Sequence, residues 1–194
     1  WAGRHGLVAG TPVIGVAGRL AADKGIEFLL KALPTLLAAH PSLRVLHAGP
    51  VDNVIGEDRY RRMLSPILET FSDCYTFLGT LTSDEMAQFF SNCDVHVLPS
   101  INSTETFGLV QIESALCGTP TVASALPGVR VPTQMTGMGL TVPPCDADAL
   151  AAGILKVLAN PGQFRRDRGP IAARFSPDKT AMLYEGLFEE LMRS

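Results

Sequence analysis

No apolar run in this sequence approaches the roughly 18 residues that a membrane-spanning helix needs, so no segment reads as a helical span. The first residues, with Trp1, Arg4 and His5 close together, lack the pattern of a signal peptide. Charge is scarce: only 18% of residues are charged while 46% are hydrophobic, which excludes a disordered or polyelectrolyte chain. Positive charge is not in excess either. With 16 Lys and Arg against 19 Asp and Glu, the net charge of −3 speaks against bulk nucleic-acid binding and leaves room only for a local basic pocket. Cysteine is sparse, and Cys74, Cys93, Cys117 and Cys145 are each solitary. Without a CxxC pair, neither a zinc site nor a thiol redox motif is suggested, and a reducing, cytoplasmic setting fits. Three nucleotide and hydrolase fingerprints are also missing: G-x-G-x-x-G, G-x-x-x-x-G-K-[ST] and G-x-S-x-G.

What is present is an alternation of short aliphatic runs and longer amphipathic ones. Pro12 to Ala17 reads as a buried strand ending at Gly18. From about Asp23 the period changes, with Ile26, Leu29, Leu30, Leu33, Leu36 and Leu37 forming one helical face, and Pro34 is expected to kink this helix or split off its last turn. Further strands are expected at 43–46, 75–78, 94–98, 120–123 and around Leu140 and Val142. Helices are expected at about 57–71, after the Thr82–Glu85 capping box, from near Gly108, and at 146–159, 161–174 and 177–192. This order implies a mainly parallel sheet of about six strands with helices on both faces. The chain reads as one doubly wound domain over 1–194, with a core at 12–160 and closing helices at 161–194. Its ligands are expected beyond the carboxyl ends of the strands, in the loops beginning near Gly18, Gly49, Gly79, Pro99 and Ser124.

Those loops hold the candidate site residues. Arg19 and Lys24 follow the first strand and are the cations near that strand end. A planar donor fork and a mobile point charge together suit the oxygens of a diphosphate, although solvated residues flanking a helix start are an equal alternative. On that alternative their place is odd, because cations oppose the dipole at a helix N-terminus. In ETFGLVQIE (105–113), a helix opened by Gly108 presents unsatisfied N–H groups to an anion or a sugar. Glu105 and Glu113, eight residues apart, then look toward the same cleft. Two carboxylates beside a phosphate make poor phosphate ligands and suit sugar and ribose hydroxyls. An ordinary amphipathic helix with Glu113 in solvent accounts for the pattern equally well. His47, at the end of the second strand, is either a ligand contact or a hydrogen-bonded structural imidazole. His96 reads as structural. Asp146-Ala147-Asp148 looks like a metal-binding D-x-D, yet acidic residues at a helix start are accounted for by the dipole, so no metal site is assigned.

Several separated segments agree with one pattern: GRLAADKG (18–25), LHAG (46–49), FLGTLTSDEM (77–86), DVHVLPS (94–100), ETFGLVQIE (105–113), SALCGTPTVAS (114–124) and GLTVPPCDADAL (139–150). In this order and spacing they resemble the C-terminal, nucleotide-sugar-binding domain of retaining glycosyltransferases of the two-domain GT-B type, in family four. The resemblance implies that Arg19 and Lys24 bind the donor diphosphate, with Gly18 at the same turn, and that Glu105 lies close to the donor sugar as the first glutamate of an E-x7-E motif. It implies that the backbone of Phe107, Gly108 and Leu109 holds sugar hydroxyls and phosphate, that Glu113 bonds the ribose, and that Leu78 to Leu81 line the base pocket. Two departures concern donor preference: Pro127-Gly128 stands where Gly-Gly is common, and Val131 where a glutamate is frequent.

By this resemblance the chain takes a UDP-, GDP- or ADP-sugar, needs no cofactor or metal, and contributes to hexosyl transfer with retention of configuration. The acceptor, a sugar or a lipid-linked sugar, is expected on an N-terminal domain outside these 194 residues, with the last helix crossing back to it. The chain alone is therefore expected to bind donor and transfer poorly. The full-length enzyme is expected in the cytoplasm, with an inner-membrane face as one setting. Two alternatives are the donor domain of a GT-B epimerase or phosphorylase, and a non-catalytic nucleotide-binding domain.

Overall fold

The computed structural model describes residues 1–52 and 54–193, and in it the short aliphatic runs become strands. They are β1 (Val13–Ala17), β2 (Arg44–Ala48), β3 (Tyr75–Gly79), β4 (Val95–Leu98), β5 (Thr121–Ser124) and β6 (Gly139–Val142). Every neighbouring pair is parallel, and the sheet order is β3-β2-β1-β4-β5-β6. β1, β4 and β5 are buried along their whole length, as strands covered by helices on both faces must be. The strand order reverses between β1 and β4, the place where open sheets of this kind bind ligands beyond the carboxyl ends of their strands.

The strand period of two divides the core. Ile14 and Val16 of β1 pack with the apolar faces of α1 (Ile26–Ala39), α2 (Asp58–Thr70) and a late helix at Ala147–Ala159, while Val13 and Ala17 face the opposite layer around Phe89 and Phe90. That second layer holds α3 (Ser83–Ser91) and α4 (Val110–Leu116). Gly15 belongs to it too: a Cβ there would stand 2.6 Å from Cys93 Sγ and 3.0 Å from Phe89 Cζ. The remaining helices are α5 (Arg130–Thr136), α6 (the late helix just named), α7 (Pro161–Phe164), α8 (Arg168–Arg174) and α9 (Pro177–Arg193). α9 buries none of its residues, and Met182, Leu183, Tyr184 and Phe188 are exposed on it. Among the described residues, no helix is long and apolar enough to cross a membrane.

Capping signals are realised. Thr82 Oγ1 accepts from the Glu85 amide at 3.4 Å while Glu85 Oε2 accepts from the Thr82 amide at 2.9 Å, and Asp146 caps α6 through the Ala149 amide at 2.8 Å. Thr82→Ala is expected to lower Tm by about 2–4 °C in a thermal melt, and an unchanged Tm would contradict the cap's contribution.

Two expectations are corrected. Pro34 does not split off the last turn of α1, which runs to Ala39 with the proline exposed and Leu29, Leu30, Leu33 and Leu36 buried. The segment 161–174 is two helices, since Asp167 caps a fresh start by accepting from the Gly169 amide. The helix after β4 begins near Gly108, as expected: its first residue is Val110, and Gly108, with a left-handed φ of +77°, lies just outside it.

Candidate functional site

The loops after β1 and β4 meet at the reversal point. After Gly18, one 3₁₀ turn (Ala22–Lys24) ends at Gly25, which has a φ of +62° and whose Cβ would lie 2.2 Å from the Pro99 carbonyl. Only glycine lets this loop press so closely on the end of β4. Three contacts then tie the loops together. The Ile101 amide donates to the Asp23 carbonyl at 3.1 Å, Thr104 Oγ1 lies 3.5 Å from Asp23 Oδ2, and Lys24 Nζ donates to Glu105 Oε2 at 2.6 Å. Lys24 and Glu105 stand 81 residues apart in sequence, and their side chains keep 18% and 16% exposure. Asp23 also lies 3.6 Å from Lys24 and 3.5 Å from the more open Arg19. Two cations and two carboxylates therefore form one cluster where the loops after β1 and β4 meet.

The segment from Glu105 to Leu109 is held from the other side. Gln111, buried in α4, donates through Nε2 to the Val129 carbonyl at 2.8 Å and to the Phe107 carbonyl at 3.3 Å. Gly128 leaves no room for a side chain, because a Cβ there would stand 1.7 Å from the Thr106 carbonyl. The amides of Leu109 and Val110, at the N-cap and first position of α4, have no acceptor within the helix.

Glu113 and Glu105 have different immediate neighbours. Glu113 lies in the first turn of α4, exposed, and lines a cavity of about 380 Å³ between α3 and α4 with Leu81, Met86, Phe90 and Cys117. Glu105 lies in the loop before α4, with its carboxylate on Lys24. Leu78 packs into the core around Phe89 and Phe90, so of the two leucines it is Leu81 that also faces the cavity.

His47 is fully buried with both ring nitrogens engaged: Nδ1 is 2.7 Å from the Tyr75 hydroxyl and Nε2 is 2.9 Å from the Gly18 carbonyl. Burial pushes its pKa down to about 4, against the opposing effect of the Gly18 carbonyl. A neutral, doubly bonded imidazole supports the Gly18 turn. His96 is also buried, 3.1 Å from Thr121 Oγ1, and burial takes its pKa down to about 3. Sequence reasoning did not find Asp23, Gln111 or Tyr75. Asp23 stands beside Lys24 in an ordinary helix-start composition, and Gln111 is indistinguishable from a solvated glutamine until the loops are folded. Gly128 carried a signal only as a departure from a familiar Gly-Gly pair.

The sequence matches the model of the family described as glycosyl transferases group 1 over residues 1–175. Among curated relatives, D-inositol 3-phosphate glycosyltransferase of Stackebrandtia nassauensis is 34% identical over 186 residues, covering 92% of this chain and 41% of that protein. Among solved structures, sucrose-phosphate synthase from Thermosynechococcus elongatus superposes with a TM-score of 0.82 at 32% identity, covering 99% of this chain and 48% of that one. The Anabaena protein HepE, solved in complex with UDP-glucose, shares the fold with a TM-score of 0.79 at 24% identity, covering 100% of this chain and 51% of that one. This chain belongs to the group 1 glycosyltransferases, and it spans about two fifths of the length of the curated relative and about half of each solved one.

Proposed function

We propose that this group 1 glycosyltransferase chain is the donor half of a retaining, family-four GT-B enzyme, holding a nucleoside-diphosphate sugar across the β1/β4 crevice for hexosyl transfer. The observation that carries the reading is the Lys24–Glu105 contact of 2.6 Å, which brings a phosphate-type cation and a sugar-type carboxylate together at the point where the strand order reverses. The complex of HepE with UDP-glucose and the names of the relatives favour a nucleotide-sugar ligand, with UDP, GDP and ADP the candidate carriers.

In this reading the diphosphate competes with Glu105 for Lys24. As the anomeric bond breaks, negative charge grows on the departing β-phosphate oxygen. Lys24, Arg19 and the helix-start amides of Leu109 and Val110 stabilise it, while the sugar takes on positive character beside Glu105. The leaving diphosphate is stabilised without a protein acid. Phe107 and Gly108 offer backbone to the sugar hydroxyls. The cavity lined by Leu81 and Glu113 takes the nucleoside end, with the Glu113 carboxylate accepting from the ribose. The acceptor, a sugar or lipid-linked sugar, is assigned to the additional length that the relatives have, and the donor half alone binds without efficient transfer. The four free cysteines suit a reducing cytoplasmic setting.

Calorimetry with UDP, GDP and ADP tests the assignment. The wild type is expected to bind one of the three. Lys24→Ala is expected to weaken that binding about 10- to 100-fold, since a charge-assisted bond is lost and Glu105 is left unneutralised beside the diphosphate. Arg19→Ala is expected to lose less, about three- to tenfold, from its more exposed position. Glu105→Gln removes the competing charge and is expected to retain or raise diphosphate affinity. Equal binding by every variant, or binding of no nucleotide by the wild type, would overturn the reading.

A further inference from the structure

Resting on that donor-binding reading, we propose that His47 is a positioning residue for the diphosphate site: with Tyr75 and Gly49 it forms a mould that fixes the Gly18 carbonyl and so aims the Arg19–Lys24 turn. Three observations converge on one atom. The Gly18 oxygen accepts from His47 Nε2 at 2.9 Å, which makes Nε2 the protonated nitrogen. The other nitrogen, Nδ1, is then an acceptor, and the buried Tyr75 hydroxyl donates to it at 2.7 Å, locking that tautomer. Gly49 closes the mould: a Cβ there would stand 2.0 Å from the same Gly18 oxygen, so only a residue without a side chain leaves the carbonyl its place.

The turn is also fastened from its nitrogen, since the Gly18 amide donates to the Ala48 carbonyl at 2.9 Å. Gly18 is thus pinned at both ends by one strand, and the residue that follows it is Arg19. His47 sits in the central part of the sheet, paired with Val16 of β1 and Phe77 of β3, so its ring is carried by a rigid element. The histidine and glycine of LHAG, separate curiosities in the sequence, serve the same carbonyl. His47 acts through the turn and touches no ligand.

The test compares a nucleoside diphosphate with its nucleoside, because a misplaced turn weakens the hold on phosphate alone. For whichever of UDP, GDP and ADP the wild-type chain binds best, His47→Leu is expected to lose about tenfold in affinity while affinity for the matching nucleoside stays within about twofold. His47→Gln, whose amide can donate from near the position of Nε2, is expected to recover most of the loss. Tyr75→Phe, which removes one oxygen atom, is expected to lose about threefold for the diphosphate only, and it decides the question if His47→Leu does not fold. Unchanged diphosphate affinity in the folded variants, or equal loss for diphosphate and nucleoside, overturns the positioning role while leaving the donor reading intact. A wild type that binds none of the three diphosphates removes both.

Discussion

Lowering the pH from 6.5 to 5 is expected to remove several kcal/mol of folding stability from this chain, with His47 and His96 as the cause. Both imidazoles are buried, and their pKa values fall from the ordinary 6.5 to about 4 and about 3. Between those values and 6.5 the unfolded chain holds two protons that the folded chain refuses. Stability is therefore fully present above pH 6.5 and declines as the pH falls through the window, by up to roughly 1.4 kcal/mol per unit for each histidine. Urea unfolding at pH 7, 6, 5.5 and 5 reads this directly. With m near 2–3 kcal/mol/M, the midpoint is expected to drop by about 1 M for each unit below pH 6. His47→Gln is expected to remove about half of the slope. A midpoint that stays level from pH 6.5 to 5 would show that the folded state takes up protons at these rings.

Adding one methyl group at Gly128 is expected to disable donor binding. The built Cβ stands 1.7 Å from the Thr106 carbonyl, a backbone atom with no rotamer to move to, so the strand-end segment must shift. Overpacking of this kind costs about 1–3 kcal/mol, which corresponds to a fall in Tm of roughly 3–10 °C in a chain of this size. The larger effect is local. The displaced segment carries Glu105, Phe107 and Gly108, and the Gln111 bridge between Phe107 and Val129 is stretched with it. Affinity for the bound nucleoside diphosphate is expected to fall more than tenfold, as read by calorimetry on the folded variant. An alanine variant with wild-type affinity and Tm would show that the two loops are not in hard contact.

How far the sequence discloses this arrangement can be judged from individual residues. Strand positions were legible because β1, β4 and β5 are short apolar runs closed by Gly18, Pro99 and Ser124, and burial on both faces leaves that signature. Local chemistry was legible where partners are near in sequence, as in the Thr82–Glu85 box and the Asp146 cap. α5 was not, since Pro132 and the glycines around it look like breakers. Pro132 is third in that helix, where its missing N–H would have had no acceptor in any case. The site itself was half legible. The sequence singled out Arg19, Lys24, Glu105 and Glu113, but the 2.6 Å contact spanning 81 residues follows only from strand order. For the same reason the two glutamates, eight apart on paper, turned out to face different neighbours. The double engagement of His47 required Tyr75 from the next strand and Gly18 from the previous one, which no spacing within LHAG announces.

The cluster of Arg19, Asp23, Lys24 and Glu105 has a kinetic consequence. Its two positive and two negative groups cancel, so beyond a Debye length of about 8 Å an approaching dianion meets no attracting field, and the chain as a whole carries −3. On the donor-binding proposal, capture of a nucleoside diphosphate is then governed by unsteered diffusion, and attraction begins only once the anion is close enough to displace a carboxylate from its lysine. Ionic strength should accordingly leave the association rate level or raise it slightly, the reverse of the steep decline seen where a cationic funnel guides a ligand home.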